Sequence, residues 1–227
     1  MVKIGITVFP GSNCDRDVFH VLTSILNIEA EFIWHKSSIG NFDGIIIPGG
    51  FTYGDRLRAG AIAAHSPLMS KIIDLADNKV PILGICNGFQ ILVEAGLLPG
   101  ALIQNDSLKF VCKWTNTVIM NNKTPFTCLF ENKQRLWIPV AHGEGKFVLD
   151  PASLKNIREN NQIAIQYSSD NNPNGSMENV AAVCNEKGNV MGMMPHPERG
   201  SDIDLVPDGY SADSIMIFKS LVNYLMK

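Results

Sequence analysis

The sequence Val80-Pro-Ile-Leu-Gly-Ile-Cys-Asn-Gly-Phe-Gln-Ile-Leu-Val-Glu-Ala-Gly-Leu-Leu98 combines a strand pattern and a helix pattern with almost nothing between them. The apolar run over residues 80–85 predicts a buried strand. A helical pattern of apolar residues begins at Phe89, and Gly96 is a plausible stop. The chain therefore turns sharply from strand to helix around residue 86.

Cys86 lies at this joint, with Gly84 two residues before it and Gly88 two residues after it. So sharp a turn holds the Cys86 side chain out of the sheet on a strained backbone, and the small flanking residues let the strand and helix approach closely. A helix N-terminus favours an anion, so this position favours the reactive thiolate. The pattern predicts a nucleophile elbow built on sulfur, although a cysteine ending a core strand is often only a packing residue.

Strand and helix patterns alternate through the first half of the chain. Residues 2–9, 30–34 and 43–48 read as strands, and residues 15–26 read as a helix. This alternation predicts βαβ units and a mostly parallel sheet. Between residues 97 and 150 apolar and polar positions alternate, which predicts antiparallel strands at an edge or in a small subsheet. We expect one α/β domain over the whole chain, residues 1–227.

Gly49, Gly50 and Phe51 directly follow the strand at 43–48. Paired glycines at the carboxyl end of a parallel strand leave backbone N–H groups pointing into the crevice where such sheets bind ligands. We predict that Gly50 and the backbone N–H of Asn87 form an oxyanion hole. A plain tight turn is the alternative.

Met194-Pro-His-Pro-Glu-Arg199 supplies a base and its orienting group. A proline after His196 favours an extended segment, in which His196 and Glu198 project to the same side. A carboxylate beside an imidazole fixes its tautomer and raises its basicity. Cys86, His196 and Glu198 thus form a predicted triad for acyl transfer through a thioester. The residues alone indicate a cysteine amidase or peptidase and leave the substrate open.

Composition excludes several other classes of protein. The net charge of -3 gives no basic footprint for nucleic acid, and no apolar run is long enough to span a membrane. The five cysteines are widely spaced, with no CxxC pair, which argues against a zinc site and for a reducing compartment. We expect a cytoplasmic protein.

The stretch Gly84-Ile-Cys-Asn-Gly-Phe-Gln90 resembles the G-x-C-x-G-x-Q elbow of the triad-type glutamine amidotransferases. Pro48-Gly-Gly50, His142-Gly143 and His196-Pro-Glu198 follow that family's order and spacing. The resemblance implies a flavodoxin-like, doubly wound fold in which the mostly parallel sheet carries a small antiparallel subsheet. It also implies that Cys86 attacks the side-chain amide of glutamine and that His196, held by Glu198, carries the proton to ammonia.

The same resemblance implies a set of residues that bind glutamine. They are Gly49, Phe51, Gln90, His142, Gly143 and Glu144. Four stretches narrow the resemblance within the family, namely Phe9–Asp17, Gly49–Ile62, Ala141–Gly145 and Met194–Arg199. They resemble the glutaminase subunits of phosphoribosylformylglycinamidine synthases, which act in purine biosynthesis. That implies two partners, a small bridging subunit and a large synthetase subunit that uses ATP.

No phosphate-cradling motif occurs in the sequence, so we expect no cofactor in this chain and assign ATP and magnesium to the synthetase. The candidate docking surfaces are residues 10–17 and the loop 54–60, with Arg56 and Arg58. Two other interpretations remain, a free-standing cysteine amidase or peptidase of the same fold and a non-catalytic scaffold subunit. Anthranilate, carbamoyl-phosphate and GMP synthases use the same triad.

Overall fold

The computed structural model describes residues 2–227, so Met1 of the predicted domain lies outside the described part. The strands are β1 (Lys3–Val8), β2 (Glu29–Trp34), β3 (Gly44–Ile47), β4 (Ile82–Ile85), β5 (Ala101–Ile103), β6 (Val111–Ile119), β7 (Arg135–His142), β8 (Lys146–Val148), β9 (Ile163–Tyr167), β10 (Val180–Cys184) and β11 (Val190–Met193). Nine of these form one sheet in the order β2-β1-β3-β4-β11-β10-β9-β6-β7. β5 and β8 pair antiparallel in a separate small sheet.

Five of the helices lie between strands along the chain, and the sixth follows β11. They are α1 (Asp15–His20), α2 (Ala61–Ala64), α3 (Pro67–Asp77), α4 (Asn87–Glu94), α5 (Pro151–Glu159) and α6 (Ile215–Leu225). Short 3-10 turns cover Thr52–Asp55, Met177–Asn179 and Pro197–Gly200. Within residues 2–227, no helix combines the length and the apolar character that crossing a membrane requires.

The predicted helix over residues 15–26 changes character halfway. α1 passes into a π-helical turn over Val21–Ile25. The hydroxyl of Thr23 donates a hydrogen bond to the carbonyl of Phe19 at 2.8 Å within this segment. Such a bond competes with the helix's own ladder and favours a local bend.

The main sheet has a parallel half and an antiparallel half. β2, β1, β3, β4 and β11 run parallel to one another. β10, β9, β6 and β7 continue the sheet with antiparallel pairings. The predicted α/β class, with parallel strands in the first half and antiparallel strands near one edge, is confirmed.

The centre of the sheet is buried on both faces. Every residue of β3 and of β4 is buried, which requires packed layers above and below the sheet. α4 packs across β3, β4 and β11. The core also includes Ile72 of α3 and Phe218 of α6, both fully buried. This rigid centre fixes the positions of the loops that leave its edge.

Candidate active site

Four parallel strands deliver their following loops to one edge of the sheet. β1 leads to Cys14, β3 to Gly49, β4 to Cys86 and β11 to His196. The carboxyl ends of parallel strands lie together, and ligands bind in the crevice outside them. Cys14, Cys86 and His196 line a cavity of about 390 Å³. Gly50 also belongs to this lining, whereas Gly49 does not. That volume is typical of sites for small molecules, which run from roughly 300 to 1,000 Å³.

Cys86 has the backbone of a nucleophile elbow. Its φ is 50° and its ψ is -105°, immediately before the first residue of α4. A residue with a side chain in that region costs on the order of 1–3 kcal/mol and persists only where its surroundings enforce it. A Cβ at Gly88 would overlap the carbonyl oxygen of Ile47 in β3. The close approach of strand and helix predicted from the two glycines is therefore present.

His196 is held both at its ring and at its backbone. Its Nδ1 lies 2.6 Å from Oε1 of Glu198, and its backbone N–H donates to the carbonyl of Pro139 at 2.8 Å. The extended segment predicted through Glu198 is wrong, because Pro197–Gly200 forms a 3-10 turn. Proline suits the first position of such a turn, where its missing N–H costs nothing. The turn brings the carboxylate back onto the ring.

The electrostatics of His196 favour its charged form. Burial disfavours the imidazolium, but the charges of Glu198 and Cys86 outweigh that and raise the pKa of His196 well above its usual range. Glu198 accepts the proton on Nδ1, which leaves Nε2 for the reaction. Nε2 is buried and has no hydrogen-bond partner within residues 2–227. Catalytic hydrogen bonds are often incomplete before substrate binds.

A second cysteine, absent from the predicted site, also reaches this imidazole. Cys14 Sγ lies 3.9 Å from Nδ1 of His196, and Nη2 of Arg199 donates to the same sulfur at 3.1 Å. Gly49 makes room for this arrangement, because a Cβ there would lie 2.8 Å from Cε1 of His196 and 3.2 Å from Cys14 Sγ. Cys14 could have been suspected because it follows β1, whose carboxyl end must lie beside that of β3.

Cys14, His196 and Glu198 also offer one donor atom each within 4.8 Å of one another. A cysteine, a histidine and a carboxylate are ligand types that zinc accepts. The imidazole nitrogen near both partners already makes the 2.6 Å bond to Glu198, so a metal ion would have to break that bond. Cys14 and Glu198 therefore hold the His196 ring in place.

The predicted oxyanion donors are the backbone N–H groups of Gly50, in the loop after β3, and of Asn87, directly after Cys86. A short bridge joins Ser12 and Gly50 through bonds from Asn13 N–H to the Gly49 carbonyl at 3.1 Å and from Phe51 N–H to the Gly11 carbonyl at 2.9 Å. This bridge uses neither polar backbone group of Gly50. The amide of Asn87 belongs to the first turn of α4, where backbone N–H groups lack intrahelical partners.

Gln90 is fixed by its neighbours rather than pointing freely into the cavity. Nδ2 of Asn87 donates to its side-chain oxygen at 2.8 Å, and its own Nε2 donates to the carbonyl of Glu144 at 2.6 Å. Asn87 Oδ1 in turn accepts from the N–H of Thr52 at 3.1 Å. Gln90 thus ties the elbow helix to the loop at 143–145 that closes the cavity.

His142 is a buried, neutral side chain. Burial, and to a lesser extent the charge of His196, lower its pKa to about 4. Its Nδ1 lies 3.2 Å from Oδ1 of Asn105 and its Nε2 lies 3.5 Å from Nδ2 of Asn174. The ring therefore supports the loop at 143–145, and proton transfer in the site rests with His196.

Of the remaining predicted site residues, three line the cavity and two lie on the loop 54–60. Phe51, Gly143 and Glu144 line the cavity, and the exposed Phe51 ring lies 6.3 Å from that of Phe110. Arg58 is tied to α4, because its Nε donates to Glu94 at 2.7 Å. Arg56 is exposed. The structure adds Asp55, a residue of the loop 54–60, to the lining.

Known proteins match this chain in both sequence and fold. Residues 1–225 match the family model of the CobB/CobQ-like glutamine amidotransferase domain. A chain in the structure of PurLQS from Thermotoga maritima is 43% identical, with a TM-score of 0.89, and the match covers 99% of each chain.

Two more distant structures share the fold. A putative GMP synthase subunit from Thermoplasma acidophilum is 15% identical, with a TM-score of 0.64, over 100% of this chain and 94% of that one. A glutamine amidotransferase from Thermotoga maritima is 13% identical, with a TM-score of 0.63, over 100% of this chain and 98% of the other.

Proposed function

The chain belongs to the CobB/CobQ-like glutamine amidotransferase domain family, and we propose that it hydrolyses glutamine to glutamate and ammonia for a separate synthetase subunit. The synthetase would use the ammonia to make formylglycinamidine ribonucleotide in de novo purine biosynthesis. The 43% identity to a chain of PurLQS, together with the sequence resemblance to the glutaminase subunits of that synthase, supports this pathway. We treat the whole chain as one glutaminase domain.

The observation that carries the proposal is the strained Cys86 elbow in the same cavity as the His196–Glu198 pair. Cys86 Sγ attacks the side-chain amide carbon of glutamine, and the amides of Gly50 and Asn87 stabilise the oxyanion that forms. His196 donates its proton to the leaving ammonia, and a glutamyl thioester remains on Cys86. A water molecule, deprotonated by His196, then hydrolyses the thioester and releases glutamate.

Local structure determines where each reacting group lies. The elbow fixes the sulfur, so little reorganisation is needed at the moment of attack. Oε1 of Glu198 lies 2.6 Å from Nδ1 of His196 and accepts its proton. This contact leaves Nε2 facing the reacting groups. The raised pKa of His196 keeps a proton available for the leaving group.

Other subunits of the proposed complex carry out the steps that need ATP. ATP and magnesium belong to the synthetase subunit, and a small bridging subunit completes the complex. The proposed partners dock at the cavity mouth, through residues 10–17 and the loop 54–60. The five free thiols, one of them the proposed nucleophile, favour a reducing compartment, and we place the enzyme in the cytoplasm.

The test is glutamine hydrolysis by the full chain, alone and mixed with the synthetase subunits. We expect low activity in the isolated chain and a steep rise on assembly, because docking would complete the oxyanion hole. High activity in the isolated chain would support the triad and refute this gating. Turnover of peptides with indifference to glutamine would favour a cysteine peptidase, and no turnover in the complex would favour a scaffold subunit.

A further inference from the structure

Asp55 places a carboxylate at the cavity without a cation to balance it. It lines the cavity together with Glu144, and its only side-chain hydrogen bond within residues 2–227 comes from Nδ2 of Asn87 at 3.3 Å. The charged side chains on the lining are those of Asp55, Glu144 and Arg199, besides His196. Arg199 is directed at Cys14, 3.1 Å away, and pairs with neither carboxylate.

The backbone around Asp55 is strained. Asp55 has a φ of 51°, and Tyr53 and Leu57 beside it have φ of 54° and 70°. Such conformations are uncommon for residues with a side chain, and they cluster at functional sites. Burial, and next the charge of Glu144, raise the pKa of Asp55 to about 6. A carboxylate in these surroundings gains from binding a cationic group.

The cavity also contains the unpartnered Nε2 of His196, whose residue is only 2% exposed. The cavity therefore contains the reacting groups and a separate acidic side chain. Asn87 links the two, since it follows Cys86 in sequence and its Nδ2 donates to both Asp55 and Gln90. Free glutamine has this arrangement of groups, with a side-chain amide two methylene carbons from the carbon that bears its ammonium.

We infer that Asp55, with Glu144 beside it, binds the α-ammonium group of glutamine and so restricts the enzyme to the free amino acid. This inference rests on the proposed glutaminase function and names a specificity residue for it. Glutamine within a peptide, or acylated on its nitrogen, lacks the ammonium charge. Such a molecule would leave the Asp55 carboxylate partly desolvated and without a partner.

The test compares two substrates in the complete complex of the full chain and the synthetase subunits. L-glutamine carries the ammonium group, and glutaramate has the same side-chain amide without it. Asp55→Asn removes the charge and keeps the shape, and asparagine tolerates a positive φ. Asp77→Asn is the matched control, because Asp77 is exposed and pairs with Lys187 at the end of α3.

We expect Asp55→Asn to lower kcat/KM for glutamine by about 10- to 100-fold, as the loss of a charged hydrogen bond does, and to change that for glutaramate by less than about threefold. Glu144→Gln should reduce the preference for glutamine by a smaller factor, and Asp77→Asn should leave it unchanged.

Equal losses for both substrates would overturn the inference, since Asp55 would then act only by positioning Asn87. Weaker assembly with an unchanged preference would overturn it as well and would make Asp55 a docking residue. Neither result would affect the proposed function. Absence of glutamine hydrolysis in the unaltered complex would refute the proposed function, and the inference with it.

Discussion

Cys14 Sγ lies 3.9 Å from Nδ1 of His196, the ring nitrogen that also contacts Glu198. Two cysteines therefore adjoin one imidazole, and only one is placed to use it as a base. Nδ1 is occupied by the carboxylate, so a proton can be exchanged only at Nε2. Both cysteines precede a helix, but Cys14 lies at the occupied nitrogen with a φ of -94°, whereas Cys86 has the strained backbone of the elbow, with a φ of 50°.

We expect Cys86→Ser to reduce glutamine hydrolysis in the complex by about 10⁴-fold or more, as loss of a triad nucleophile does. Cys14→Ser is the matched control and should stay within about tenfold of the unaltered enzyme. Steady-state rates and mass spectrometry of the glutamyl thioester distinguish the two. A thioester on Cys14, or an active Cys86→Ser variant, would contradict the assignment.

The closeness of β3 and α4 predicts a large effect of one methyl group. Gly88→Ala gains about 1 kcal/mol of helix propensity, but the methyl group would overlap the Ile47 carbonyl, which is backbone and cannot move aside. We expect a net loss of about 3 kcal/mol or more in the free energy of unfolding. Urea denaturation measures it.

Gly96→Ala is the comparison for that variant, because no atom lies within 4 Å of the added methyl group. Gly96 has a φ of 72°, so the substitution should cost only about 1 kcal/mol of backbone strain. Equal stabilities of the two variants would show that the strand and helix can separate at little cost.

His142 makes the stability of the fold depend on pH. Its pKa of about 4 in the folded chain lies below the ordinary value of 6.5, so only the unfolded chain takes up the proton as pH falls between these values. The contribution of His142 to stability is constant above about pH 6.5 and decreases toward pH 4, by up to about 3 kcal/mol for a residue so fully buried.

Thermal unfolding across pH 4–8 measures this effect. His142→Gln should be less stable at pH 7.5, because bonds to Asn105 and Asn174 are disturbed, yet its stability should decrease less on acidification. The exposed His65→Gln variant should follow the unaltered chain. An unchanged decline in His142→Gln would show that another group binds the proton.

The proposed docking of the synthetase predicts an effect of charge reversal in the loop 54–60. Arg56→Glu combined with Arg58→Glu should weaken complex formation, most strongly at low salt. Arg58 also holds Glu94, so a single Arg56→Glu variant separates docking from loop support. Lys71→Glu, on the exposed side of α3, is the control. Undiminished affinity of the double variant would refute this docking surface.

The sequence predicted the elbow and the His196–Glu198 pair because each depends on residues close together in the chain. Gly84, Cys86 and Gly88 determine the elbow locally. The sequence predicted an extended segment through His196 and Glu198, whereas the structure makes their contact through a 3-10 turn. Prolines restrict the backbone here but do not choose between these two conformations.

Cys14 and Asp55 were missed because their importance comes from contacts distant in sequence. Cys14 meets His196 across 182 positions, and Asp55 meets Asn87 across 32. Local periodicity contains no information on such contacts. Only the rule that parallel strands end at one edge pointed to them, and that rule names an edge without choosing among its side chains.

The fit of Gly88 against Ile47 separates the site into a part that can be redesigned and a part that cannot. No residue larger than glycine fits at position 88. The position of the Cys86 sulfur therefore depends on the close packing of α4 against β3. Phe51, Asp55, Gly143 and Glu144 line the same cavity from loops, and none of these four residues is buried. Directed evolution toward a different amide would therefore succeed by varying these loops around an unaltered elbow.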